Sequence, residues 1–222
     1  MPKSRALVVG LVALSFGAGA TDAFAFLCLS GIFSANMTGN LVLIGLFHRP
    51  GYVQTLVGAG CAVLAFSAAA YFCFRLVRAP GGVAAGLAMS VAAQMLVLAG
   101  WTAVEGHAAP WVQVGLVVLS SVAMGAQTAV SRTVAPPLTT TYVTGTLISV
   151  LEDAAAGRGD KTLRLVTIAA LVTGAIAGAA AIGWSADVGP VLPLAATTAG
   201  TVLVLAGTYR RLDARSPSEA HG

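Results

Sequence analysis

The chain has 222 residues, 57% of them hydrophobic and only 9% charged, with a mean hydropathy of +0.88. A soluble domain carries about 25% charged residues, so a water-soluble globule is excluded. Twelve Lys+Arg against eight Asp+Glu are too few to build a nucleic-acid groove, and the first expected partner is the lipid bilayer.

A membrane-crossing helix needs about 20 consecutive apolar residues. The first such stretch, 6–29, follows Lys3 and Arg5 and contains Ala18-Gly19-Ala20 and Ala23-Phe24-Ala25. These features imitate a signal peptide with its cleavage site, but the apolar run continues through Phe26-Leu27-Cys28-Leu29 and reads as a span. A polar break from Gly31 to Asn36 precedes a short apolar piece, 37–47. Spans follow at 54–74, 83–103 and 111–131. A second break, Pro136-Pro137-Leu138-Thr139-Thr140-Thr141, precedes the second short piece, 143–151. The charged stretch from Glu152 to Arg164 reads as a solvated cytoplasmic connector. Spans 164–184 and 190–209 complete the set, and residues 212–222 form a polar, flexible cytoplasmic tail. The expectation is one integral membrane domain over 1–222.

Charge decides between six and eight crossings, because basic residues collect on the cytoplasmic side. If the two short pieces dip in and return, 11 of the 12 basic residues lie on one face and Arg49 alone lies outside. If both short pieces cross, the division is 6 against 6, which carries no bias. Six crossings with both termini cytoplasmic are therefore expected, in the inner (cell) membrane. Trp101, Trp111 and Trp184 fall at the outer ends of their spans, where an aromatic belt is expected.

The two halves repeat each other. At a constant offset of 106, Gly19 falls on Gly125, Ser34 on Thr140, Thr38-Gly39 on Thr144-Gly145 and Leu41 on Leu147. Each half, about 6–103 and 111–209, reads as long helix, polar return, half-helix, long helix, long helix. Three crossings per half turn the second upside down. The expected fold is thus all-α, with six membrane helices plus two re-entrant half-helices in a 3+3 inverted repeat. Transporters and channels recurrently use this plan, with the site near the midplane. Residues 31–36, extended, cover about 20 Å, enough to return to mid-membrane.

Half-helices that start at Asn36-Met37-Thr38-Gly39-Asn40 and at Thr141-Tyr142-Val143-Thr144-Gly145-Thr146 would aim free N–H groups at the bilayer centre, where they attract an anion or a carbonyl oxygen. Alternatively, Thr38, Asn40 and Thr144 only cap the broken helices. Asp22 is the one acid well inside a span, and burying it costs about 3 kcal/mol unless compensated. It could bind a cation, carry a coupling proton or brace the Asn36–Asn40 turn. Its repeat equivalent is Thr128, beside Gln127, so the charge exists in one half only. Gln94 reads as a hydrogen bond between helices and Arg132 as a topology anchor. Gly174-Ala-Ile-Ala-Gly178 is a small-residue face for helix packing, within one chain or between copies in a homo-oligomer. Cys28, Cys61 and Cys73 lie in apolar runs and form neither a disulfide framework nor a zinc spacing. Gly17-Ala-Gly19 follows no strand and is not a nucleotide loop.

Thr21-Asp22-Ala23 followed by Gly31-Ile-Phe-Ser-Ala-Asn-Met-Thr-Gly-Asn-Leu-Val-Leu-Ile-Gly45 resembles the signature of the YoaK-type family of small bacterial integral membrane proteins, a domain of unknown function. Gly125-Ala-Gln127-Thr128 and Thr139-Thr-Thr-Tyr-Val-Thr-Gly-Thr-Leu147 resemble its second signature. The resemblance implies six spans and brings no activity with it.

The residues favour a transporter or channel-like permease for a small polar or anionic solute. Asp22, Asn36, Thr38, Gly39, Asn40, Gln127, Thr128, Thr144, Gly145 and Thr146 are its candidate binding residues. Proton coupling through Asp22 is an added expectation, and no cofactor or metal is expected. The alternative is a non-transporting membrane protein with a structural, sensing or assembly role. No enzyme is expected: HExxH, GxSxG and paired acids are missing, and His48, His107 and His221 lie in loops or the tail.

Overall fold

The computed structural model describes residues 5–105, 108–136, 143–156 and 162–213. All regular structure among them is helical. The elements are α1 (Arg5–Cys28), α2 (Met37–Gly45), α3 (Tyr52–Leu76), α4 (Gly82–Ala103), α5 (Pro110–Val134), α6 (Val143–Ala155), α7 (Thr162–Trp184) and α8 (Val191–Asp213), with a 3₁₀ turn at Ala186–Val188. Six of these helices are long and apolar enough to cross a membrane. The two others, α2 and α6, start where the two short apolar pieces start. The second polar return, at residues 137–142, lies outside the described residues, as do Arg158, Lys161 and the tail from 214 onward.

Each boundary has a local cause. Ser30 and Gly31 take positive φ values of 65° and 70°, a left-handed step that ends α1. The Ser30 hydroxyl donates to Gln113 Oε1 and accepts from Gln54 Nε2, tying the end of α1 to α3 and α5. Asn36 caps α2, its side chain accepting the Gly39 N–H, so the cap is neither Thr38 nor Asn40. Pro110 opens α5 at its first turn, where a missing N–H costs nothing. α6 runs four residues past the expected end at 151. Asp153, on its last turn, pairs with Arg164, whose guanidinium also donates to the Ser149 carbonyl. Asp153 and Arg164, at the ends of the expected connector, are therefore not simply solvated. A cation on the carbonyl end of a helix is favourable.

α1 and α5 form the centre. Of their apolar windows 61% and 72% are buried inside the fold, against 22–39% for the other four long helices. The most extensive packing joins α1 to α7 and α8, and α5 to α3 and α4. The central helix of each half thus packs on the outer pair of the other half. α2 lies on α3, and α6 on α7. One apolar cluster, with Phe24, Leu29, Ile32, Trp101 and Leu116, surrounds the end of α1 and the start of α5. A second, with Leu7, Leu11, Leu87, Val130 and Val204, surrounds the opposite ends. Small residues, Ala18, Ala93 and Ala123 among them, fill the middle.

Glycine permits the closest crossings. A Cβ on Gly19 would lie 1.9 Å from the Leu171 carbonyl oxygen of α7, and one on Gly125 2.4 Å from the Phe66 carbonyl oxygen of α3. Gly174 and Gly178 face Phe16 and Ala20 of α1, so this small-residue pair is used inside the chain. Trp111 and Trp184 are 78% and 88% exposed, as a belt requires, but Trp101 is only 3% exposed. Its ring meets Phe24 edge-on and its indole N–H donates to the Ala186 carbonyl. Trp101 is therefore a core residue with a satisfied polar handle, and the belt reading does not hold for it.

Candidate functional site

The residues that carry the site come from four helices and one loop. Asp22 lies on α1, one turn after Gly19. Its Oδ1 accepts the Ser34 N–H at 2.8 Å, the Ala35 N–H at 2.7 Å and the Ser34 hydroxyl at 3.0 Å. Ser34 and Ala35 are buried, so their N–H groups need a partner inside the protein. Asp22 supplies it and fixes the loop that leads into α2. Of the three roles open to this carboxylate, the bracing one has this geometry behind it.

Asn40 secures the same loop from the other side. Its side chain accepts the Phe33 N–H at 2.9 Å and donates to the Phe33 carbonyl at 2.6 Å. It is fully buried and serves the backbone of this chain. Gln94 donates to the Thr21 hydroxyl across α4 and α1, the interhelical bond expected of it.

A cavity of about 600 Å³ opens beside these groups. Its polar wall contains Asp22, Asn36, Thr38, Thr128, Arg132 and Thr144, and its apolar wall includes Phe26, Phe33, Met37, Phe66 and Leu171. Five of the ten sequence-predicted site residues thus border one space: Asp22, Asn36, Thr38, Thr128 and Thr144. Gly39, Asn40, Gln127, Gly145 and Thr146 are not in its wall. Gln127 is turned about 100° around the helix from Thr128 and donates to the Leu14 carbonyl of α1 instead. Thr146 is buried, and the Gly145 carbonyl accepts the Ser149 hydroxyl within α6.

Sequence reasoning missed Arg132. Its position near the end of a span explains it as a topology anchor, and only its helical register reveals more: it lies one turn beyond Thr128 on the same face of α5. Among the described residues it makes no ion pair or hydrogen bond. The described His, Cys, Asp and Glu residues form no group that could hold a metal ion.

Six long apolar helices, two short ones and a partly polar cavity between them define a multi-pass helical membrane protein. The chain belongs to the family described as "Protein of unknown function (DUF1275)", which it matches over residues 10–205. It is also 30% identical over 148 residues to the UPF0700 transmembrane protein YoaK of Bacillus subtilis (strain 168), a match covering 63% of this chain. That stretch spans 64% of the relative, under two thirds of its length. No solved structure matches the chain.

Proposed function

We propose that this protein is a permease for a small polar or anionic solute, with the cavity between α1, α5 and the starts of α2 and α6 as its solute site. The convergence of Asp22, Thr38, Thr128 and Thr144 on one cavity carries this reading. In the proposed arrangement α2 and α6 are re-entrant half-helices of an inverted repeat. Two features support the repeat. The packing pattern is preserved when the halves are exchanged: α1 with α7 and α8 becomes α5 with α3 and α4. The cavity wall also pairs up at the 106-residue offset, Asp22 with Thr128, Phe26 with Arg132 and Thr38 with Thr144. Phe26 lies two residues from the end of α1 and Arg132 two residues from the end of α5. In an inverted arrangement those ends face opposite sides of the membrane, so the wall draws on both. Non-helical backbone at membrane depth is tolerated when it lines such a cavity.

The proposed orientation has both termini in the cytoplasm of a cell whose inner membrane holds the protein, as the distribution of basic residues favours. A green fluorescent protein fused at the C-terminus is expected to fluoresce, and alkaline phosphatase inserted after His48 to be active. The opposite pair of results would reverse the topology.

Uptake into proteoliposomes tests the function. Labelled monocarboxylates, amino acids and phosphate should include at least one solute that enters several-fold faster than into empty liposomes. If an inward acid gradient accelerates that uptake, proton coupling is supported. If every solute stays at the empty-liposome rate, the permease reading fails and the assembly or sensing role takes its place.

A further inference from the structure

The residue pairs that the repeat places at equivalent points of the cavity wall differ in charge. In the first half the Asp22 carboxyl group is a built-in acceptor, on which the Ser34 and Ala35 N–H groups close. In the second half Thr128 stands where that carboxylate would be. One turn further along the same helix face, where the first half has Phe26, the second half has Arg132. Among the described wall residues the second half therefore contributes a cation, Arg132, which has no acidic partner among the described residues.

We infer that the solute supplies the anion that pairs with Arg132: a small organic monoanion whose acidic group sits between Arg132 and the first turn of α6 at Thr144. The inference rests on the cavity being the solute site, and it narrows the solute class. Arg132, near the end of α5, offers one guanidinium to the cavity wall, which pairs with one negative charge. The Asp22 carboxyl group is already engaged by the loop. A volume of about 600 Å³ lies within the range of organic-ligand sites and far exceeds what an inorganic ion needs. Phe26, Phe33 and Phe66 line the remainder and suit an apolar body, with a guanidinium as the fork that matches a carboxylate.

Titration calorimetry on the purified full-length protein in detergent tests this, with benzoate and butyrate as probes and benzamide as the neutral isostere of benzoate. At least one anion should bind, and benzamide should bind at least tenfold more weakly than benzoate. Arg132→Gln should weaken anion binding by about tenfold to a hundredfold, the range for a hydrogen bond to a charged group, and leave benzamide unchanged. Arg132→Lys, which keeps the charge and loses the fork, should weaken anion binding less than Arg132→Gln does. Thr128→Asp, which sets a carboxylate beside Arg132, should block the anion and provides a test independent of Arg132→Gln. Three outcomes would overturn the inference: no binding of either anion to the wild-type protein, equal affinity for benzoate and benzamide, or anion binding indifferent to both Arg132→Gln and Thr128→Asp. Uptake of a neutral solute without anion binding sinks this inference and spares the permease. Anion binding without any uptake does the reverse.

Discussion

Gly19→Ala is expected to destabilise the protein by about 3 kcal/mol, the upper end of the usual range for overpacking. The new Cβ would lie 1.9 Å from the Leu171 carbonyl oxygen and 2.9 Å from the Ala175 nitrogen. Both are backbone atoms, which no rotamer change can move aside, so α1 and α7 must separate. In a membrane the packing of small residues is a main source of helix association, and separation forfeits it along the whole crossing. Gly125→Ala, 2.4 Å from the Phe66 carbonyl oxygen, is expected to behave alike at the equivalent crossing of α5 and α3. Gly60→Ala is the control, since a Cβ there has nothing within 4 Å and helix propensity favours alanine. Thermal unfolding in detergent, followed by size-exclusion fluorescence, should show midpoints lowered by roughly 5–10 °C for the first two variants and not lowered for the third. Equal midpoints for Gly19→Ala and Gly60→Ala would mean that the close crossing does not limit stability.

The two glycines were visible in the sequence as the first members of the repeat, but the reason for them was not. Only the path of α7 past α1 shows that a carbonyl occupies the place of a side chain. The six spans were legible because burial in lipid demands a long apolar run that composition alone reveals. The starts of α2 and α6 were legible because a polar break must precede each. Side-chain roles were harder where two physical demands ask for the same residue. A basic residue at the end of a span satisfies the charge bias whether or not it also borders a cavity, so Arg132 was hidden behind its topological explanation. A tryptophan at a helix end suits both an interface and a core, and Trp101 entered the core because Phe24 and the Ala186 carbonyl were there to receive it. Asn40 reads equally well as a ligand group or a brace. The deciding fact is that the Phe33 N–H and carbonyl lie within its reach, a contact seven residues away that depends on how the loop folds back. Asp22, Thr128, Thr38 and Thr144, which the 106-residue sequence offset pairs, border one cavity.

Asp22→Ala is expected to be the most damaging single change at the site. It removes the acceptor of two buried backbone N–H groups and a buried hydroxyl. Each orphaned buried donor costs about 1–3 kcal/mol. Even if water recovers part of that through the cavity, a net loss of about 3 kcal/mol is expected, together with disorder in the loop from Ile32 to Asn36 and a displaced start of α2. Asp22→Asn separates bracing from charge. Its amide oxygen can still accept the Ser34 and Ala35 N–H groups, so the thermal midpoint should stay within a few degrees of wild type while the negative charge is gone. If Asp22 only braces the loop, Asp22→Asn should retain most of the uptake of whichever solute the wild type carries, and Asp22→Ala should lose it. If Asp22 carries a coupling proton, Asp22→Asn should lose the acceleration by an inward acid gradient while keeping its fold. Measuring uptake for both variants, with and without the gradient, and comparing it with their midpoints distinguishes the two. Gradient-driven uptake that survives in Asp22→Asn would remove the carboxyl group from any proton pathway and leave it as the acceptor that braces Ser34 and Ala35.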